Sequence, residues 1–232
     1  MELASTCRLL GLRVTVVDVV PPLDRVLGRH VAGFVRGVAE ESGARLVVSA
    51  GGARLLGTPE PTAVELASGE RIAADLVISA VGDVANVEWL AGSGIDIQGG
   101  VVVDDRGRVA CAALDVVATG DVAAVRDGQS CTRLATWTNA VEQSRVAAAA
   151  LLRGDDAPAY RPSRYAWTEQ FGLDIKLVGS ISPGADVPAV LDGSLDRRSA
   201  LLAWPDPSAA TMVAAVNHPT PPAKLKRLLA SG

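Results

Sequence analysis

Short apolar runs that break at a carboxylate constrain this chain more than any other feature of its sequence. RVTVVDVV (13–20) is interrupted at Asp18, and VVATGDVA (116–123) stops at Gly120-Asp121 before apolar residues resume. Val-rich runs of this length fit strands of a parallel sheet, where both faces are covered. The flanks agree. Leu3, Cys7 and Leu10 recur at helical spacing ahead of the first run, and Gly11 supplies a left-handed stop. After it, GRHVAGFVRGVAEESG (28–43) has helical spacing and ARLVVSA (44–50) reads as a buried strand. The order helix, strand, helix, strand predicts an α/β fold.

An acid that closes the strand of a βαβ unit accepts hydrogen bonds from the ribose hydroxyls of a dinucleotide. Asp18 stands at that place, and a plain strand-end turn residue is the other reading of it. From Gly51 to Asp75, short strands joined by Gly and Pro turns predict a meander, followed by a strand at Leu76–Ala80 that delivers the chain to Gly82. That glycine either admits a ligand close to the backbone or makes a turn. A strand is expected at Val116–Thr119, then a loop, then a helix over Thr136–Arg153 closed by Gly154. DDAPAYRP (155–162) reads as a linker. Beyond it, strands at Tyr165–Thr168, Leu173–Val178, Arg198–Trp204 and Ala210–Val216 and a basic helix at Pro222–Ala230 predict a small α+β domain.

Composition removes several classes of function. Twenty-two basic against 26 acidic residues give a net charge of -4, with no basic stripe interleaved with aromatics, so nucleic acid is not an expected partner. No apolar run reaches the ~18 residues of a membrane span, and the first residues lack a signal-peptide pattern, which points to the cytoplasm. Cys7, Cys111 and Cys131 are too far apart for a redox dithiol or a zinc pair. His30 and His218 are the only imidazoles, so no metal site is expected. No GxSxG elbow marks a hydrolase. Chemistry must then come from a bound cofactor.

Four features in order, the acid at 18, the glycine at 82, ATGDVA (118–123) and TWTNAVEQSR (136–145), resemble the FAD-dependent ferredoxin and rubredoxin reductases of the pyridine nucleotide-disulfide oxidoreductase superfamily, on the branch without a redox disulfide. RYAWTEQFGLDIKLVG (164–179) is similar to that family's C-terminal domain. The resemblance implies incomplete doubly wound nucleotide-binding domains followed by a small α+β reductase domain, with an NAD-binding part at 1–80, the C-terminal segment of an FAD-binding part at 81–156 and the reductase domain at 157–232. It implies hydride transfer from NADH to FAD and electron transfer to a ferredoxin or rubredoxin-like acceptor.

The resemblance also distributes roles. Gly120 leaves room for the cofactor while Asp121 takes the ribityl hydroxyls. The helix opening near Thr136 aims its amides at the flavin's pyrimidine edge, where its dipole favours the charge of a reduced ring, with Trp137 and Asn139 at that edge. Trp167 lies against the isoalloxazine. Asp18 holds the adenosine ribose, its acidity favouring NAD over NADP. Glu2 approaches the nicotinamide and Gly82 permits its passage. The basic residues Lys224, Lys226 and Arg227 read as a solvated helix end or a dock for the acceptor.

The family's two GxGxxG loops do not occur in the sequence, and an acid often found two residues before the tryptophan is replaced by Ala135. Ala85 stands where proline is usual. The implied sheet would lack its first strand, leaving 13–20 to pair with the meander strand, a second copy or a separate N-terminal half. A non-catalytic binding or dimerising remnant is the alternative expectation.

Overall fold

The structure, a computed structural model, describes residues 1–110, 115–162, 164–181, 187–205 and 210–230; Cys111 lies outside them. The chain divides into two compact units, Met1–Val81 with Trp167–Gly232, and Gly82–Ala166. The last third of the chain thus groups with the first, where the sequence reading had three consecutive domains.

In the first unit, α1 (Glu2–Leu9) ends as the spacing predicts, at Gly11 with φ 77°. Arg8 ties this end down, Nε to the Ser42 carbonyl at 2.9 Å and Nη1 to the Leu12 carbonyl at 2.6 Å. β1 (Thr15–Asp18), α2 (Asp24–Glu41) and β2 (Arg45–Val48) form the expected unit, the two strands pairing in parallel with Asp18 opposite Val48. Gly28 (φ 68°, ψ 160°) breaks α2 near its start. A Cβ there would lie 2.7 Å from Ile181, which explains glycine at this kink. From the kink onward α2 buries Val31, Ala32, Val35, Val38 and Ala39, a stripe at helical period. β3 (Ala53–Leu56), β4 (Ala63–Leu66) and β5 (Arg71–Ala73) make the expected antiparallel meander. Glu65 sits between Arg54 and Arg71, whose hydrogen bonds hold its carboxyl below the usual range.

The strand expected at Leu76–Ala80 does not form: these residues belong to no ladder, and Leu76 and Ile78 are exposed. β1 and β2 make up a sheet of only two strands, and Val16 and Val17 are half-buried. An apolar run becomes a strand only when its backbone finds a partner.

The second unit is built on a three-stranded sheet of β6 (Val101–Val103), β7 (Ala123–Asp127) and β8 (Ser130–Arg133), with β6 parallel to β7 and β7 antiparallel to β8. Its core gathers Leu90, Val101, Val103, Val109 and Ala123. Val116–Thr119 makes a single bridge, Val117 with Arg108, rather than a strand, because the turns at Gly107 and Gly120 (φ 76° and 72°) close the pairing at both ends. The loop expected after it is the β7–β8 hairpin, which turns at Gly128 (φ 58°). α3 (Trp137–Arg153) then runs from a Thr136 cap to Gly154, as predicted. The supposed linker is packed: Ala157 and Tyr160 are buried, and the Ala157 carbonyl accepts from Arg106 Nε at 2.8 Å.

The chain returns to the first unit in a five-stranded antiparallel sheet of β9 (Tyr165–Gln170), β10 (Leu173–Gly179), β11 (Ala189–Ser194), β12 (Ser199–Pro205) and β13 (Ala210–Val216), in the order β11-β12-β13-β10-β9. β11 went unread in the sequence. β9 and β10 join through Phe171 and Gly172, both at positive φ (50° and 73°), the geometry of a two-residue hairpin turn. α4 (Pro222–Ala230) packs on β13 and β10 through a fully buried Leu225. No helix among the described residues is long and apolar enough to cross a membrane.

Candidate functional site

The second unit places Gly120, Asp121 and the start of α3 side by side, and a buried polar network decides how. Gly120 is buried at positive φ, and a Cβ there would meet the Ala140 methyl at 3.4 Å. Its N–H turns inward and donates to Gln143 Oε1 at 2.9 Å. Gln143 is 1 % exposed and also accepts, at 3.5 Å, from Asn139 Nδ2. Asn139 Oδ1 in turn accepts from the Tyr160 hydroxyl. Burial, helped by the charge of Glu142, pushes the Tyr160 phenol up to about 12, so it remains a donor at neutral pH. Every link in this chain pairs one donor with one acceptor, the condition under which a buried polar cluster stabilises.

Turning the Gly120 amide inward leaves Asp121 outward. Its side chain is exposed and makes no hydrogen bond or ion pair among the described residues. Its carbonyl accepts from Arg133 Nη1 at 2.8 Å. The same guanidinium pairs with the Asp83 carboxylate and donates Nη2 to the Asp83 carbonyl at 3.1 Å. Arg133 therefore joins the Gly82-Asp83 backbone to the Gly120-Asp121 turn. Gly82 itself is exposed with φ 98° and open space where a Cβ would be.

At the head of α3, Thr136 Oγ1 accepts the Asn139 amide at 3.3 Å, an N-cap. Trp137 follows and is 70 % exposed. Asn139 does not sit at an open edge beside it: at 5 % exposure its side chain is engaged with Tyr160 and Gln143.

In the first unit, Asp18 closes β1 with Oδ1 accepting the Val19 amide at 2.7 Å. The Val20 amide lies 3.5 Å from the same oxygen, as at a strand-end turn, and the other carboxylate oxygen has no partner among the described residues. Glu2 opens α1 and accepts from the Thr168 hydroxyl, beside Trp167 on β9. Thr168 Oγ1 accepts in turn from Gln170 Nε2 at 3.1 Å, and Ser5 Oγ takes the Phe171 amide at 2.7 Å. The structure thus joins Glu2 to the strand carrying Trp167, and no hydrogen bond among the described residues connects Glu2 with Asp18.

Sequence reasoning missed Gln143, Tyr160, Asp83, Arg133 and Thr168. Gln143 carried a signal, lying four residues after Asn139 on one helix face. Asp83 and Arg133 are 50 residues apart and carried none.

An FAD can be tested against these groups. A free carboxylate, a glycine that holds helix and turn together, a capped helix N-terminus and an exposed tryptophan fit its isoalloxazine and ribityl end. For its pyrophosphate the fit is absent: the strand-to-α-helix connections among the described residues, 19–23, 134–136 and 217–221, hold no glycine to bare their amides.

Comparison with known proteins agrees. A pyridine nucleotide-disulphide oxidoreductase family profile matches residues 1–144. The ferredoxin reductase component of chlorobenzene dioxygenase from Cupriavidus sp. (strain PS12) is 34% identical over 204 residues, covering 87% of this chain and 48% of that protein. The rubredoxin-NAD(+) reductase of Pseudomonas putida is 31% identical over 185 residues, covering 78% and 47%. The chain thus spans about half the length of these relatives. The covalent complex of putidaredoxin reductase with putidaredoxin superposes with a TM-score of 0.80 at 26% identity, over 98% of this chain and 54% of that one. With the α/β units, the Gly-Asp turn and the capped α3 in place, this chain belongs to the pyridine nucleotide-disulphide oxidoreductase family.

Proposed function

We propose that this chain carries the flavin-contacting and nicotinamide-contacting residues of an NADH:ferredoxin or rubredoxin reductase. The observation that carries this reading is the outward Asp121 carboxylate, unpartnered among the described residues, beside the capped start of α3. A bound FAD would supply hydride acceptance from NADH and single-electron release to an iron–sulfur carrier. Asp121 accepts hydrogen bonds from ribityl hydroxyls, α3 directs its first turn at the anionic edge of the ring, and Trp137 excludes water. Glu2, held by Thr168, receives the nicotinamide, and Asp18 takes the adenosine ribose of NADH. Gly82 permits the close passage of the nicotinamide, and Trp167 is assigned to the isoalloxazine. The pyrophosphate anchors of both nucleotides come from outside the described residues.

Riboflavin, which lacks the pyrophosphate, is the diagnostic ligand. Fluorescence-quenching titration should give riboflavin and FAD affinities within about threefold of each other, because the contacts made here are common to both. FAD binding more than tenfold tighter than riboflavin would show a phosphate cradle and reject this division of labour.

A second reading rests on unpaired backbone. β1 has one ladder neighbour, and no amide from Leu76 to Asn86 donates a hydrogen bond to the backbone or side chain of a described residue. We infer that a further strand pairs there, from a second copy or a separate N-terminal half. Light scattering across concentrations tests the former: a dimer supports self-pairing, and a monomer that slows exchange of these amides only with an added N-terminal half supports the latter.

A further inference from the structure

The Arg133 guanidinium already touches the residue whose carboxylate must stay free. Its Nη1 lies 2.8 Å from the Asp121 carbonyl, on the same residue that bears the carboxylate. Arg133 Cδ runs beside Gly100, where a Cβ would stand 3.4 Å from it and 2.6 Å from the Val122 carbonyl. Guanidinium and carboxylate match in shape and charge and pair through two parallel bonds. A carboxylate so paired has its acceptor positions taken and its charge compensated, which makes it a poor acceptor for neutral hydroxyl groups. What stands in the way is Asp83, whose carboxylate and carbonyl both engage Arg133.

We propose that Asp83 is a positioning residue that keeps the Asp121 carboxylate open to polyol hydroxyls by occupying Arg133. The role extends the flavin reading of Asp121 and rests on it only for the identity of the polyol. Arg133 performs two tasks in this arrangement. Its bond to the Asp121 carbonyl fixes the turn, and its ion pair with Asp83 prevents that cation from closing over the site it shapes. The Arg133 side chain is 19 % exposed, so its charge is partly withdrawn from water and needs a counter-ion nearby. Removing Asp83 transfers that demand to Asp121.

The test combines a structure with a titration. In the crystal structure of Asp83→Ala, the Arg133 guanidinium should lie within hydrogen-bonding distance of the Asp121 carboxylate. Riboflavin affinity, read by fluorescence quenching, should fall about fivefold or more in Asp83→Ala and in Asp83→Asn, which keeps the side-chain shape. It should recover in Asp83→Glu, and adding Arg133→Gln to Asp83→Ala should restore it, an outcome that simple loss of structure cannot produce. A crystal structure with Arg133 away from the Asp121 carboxylate, or a double variant no better than Asp83→Ala, would overturn the proposal. A wild-type chain that binds no riboflavin would instead reject the flavin reading, and the crystal structure alone would then decide the role of Asp83.

Discussion

Gly120 and Asp121 are consecutive residues with opposite duties, and the difference predicts opposite mutational behaviour. The Gly120 amide is buried against Gln143, so Gln143→Leu strands a donor in the interior and should cost about 1–3 kcal/mol in urea unfolding. Tyr160→Phe removes a donor and leaves Asn139 Oδ1 without its partner, with an expected loss of about 1 kcal/mol. The Asp121 carboxylate makes no hydrogen bond or ion pair among the described residues, so Asp121→Ala should leave unfolding within about 0.5 kcal/mol of wild type. The same substitution should weaken riboflavin about tenfold or more, the size expected from losing hydrogen bonds to a charged acceptor. Loss of stability in place of affinity would assign Asp121 to the fold.

Among elements, α3 is held at both ends by groups that can be tested separately. Thr136→Ala deletes the N-cap and should cost about 0.5–2 kcal/mol. At the other end Arg108 bridges Asp104 and Asp155, joining the turn after β6 to the residues that follow α3. Burial raises the Asp104 carboxyl, but bonds from Arg108 and the Arg106 amide outweigh it and hold the group below its usual range; Arg108 does the same to Asp155. A depressed folded pKa contributes stability that is full above the unfolded value near 4 and is lost as pH falls through the folded one. Asp104→Asn should therefore destabilise the chain at pH 7 and flatten the loss of stability below about pH 4, measured by thermal melts across pH.

The same elements show what a linear sequence discloses. α1, α2, α3 and α4 were legible because a period of 3.6 and a terminal glycine are local properties, and β1 and β2 because each apolar run is bounded. Leu76–Ala80 has the composition of a strand, yet pairing is not a local property, and no described partner reaches it. β11 was illegible for the reverse reason: its Val190 and Leu191 are exposed at a sheet edge and a bulge interrupts its register before Asp192, so no apolar period survives. At the site, Gly120-Asp121 and Thr136-Trp137 were read from consecutive residues. The Arg133–Asp83 pair exists only in three dimensions.

For the whole molecule the division into units matters most, since the segment 76–86 ends one unit and begins the other. Its amides donate to no described backbone or side chain, and Val81 and Val84 are 92% and 90% exposed. In the monomer, hydrogen exchange should find these amides among the fastest in the chain outside its termini, and protection there in the monomer without an added N-terminal half would contradict the second reading.

The central claim is that Asp121 and the start of α3 receive the polyol and ring of a flavin. Its most direct measurement is a riboflavin fluorescence titration of the wild-type chain and Asp121→Ala side by side. The account predicts saturable quenching by the wild type, weakened about tenfold or more in the variant. Equal quenching by both proteins, or none by either, would contradict it.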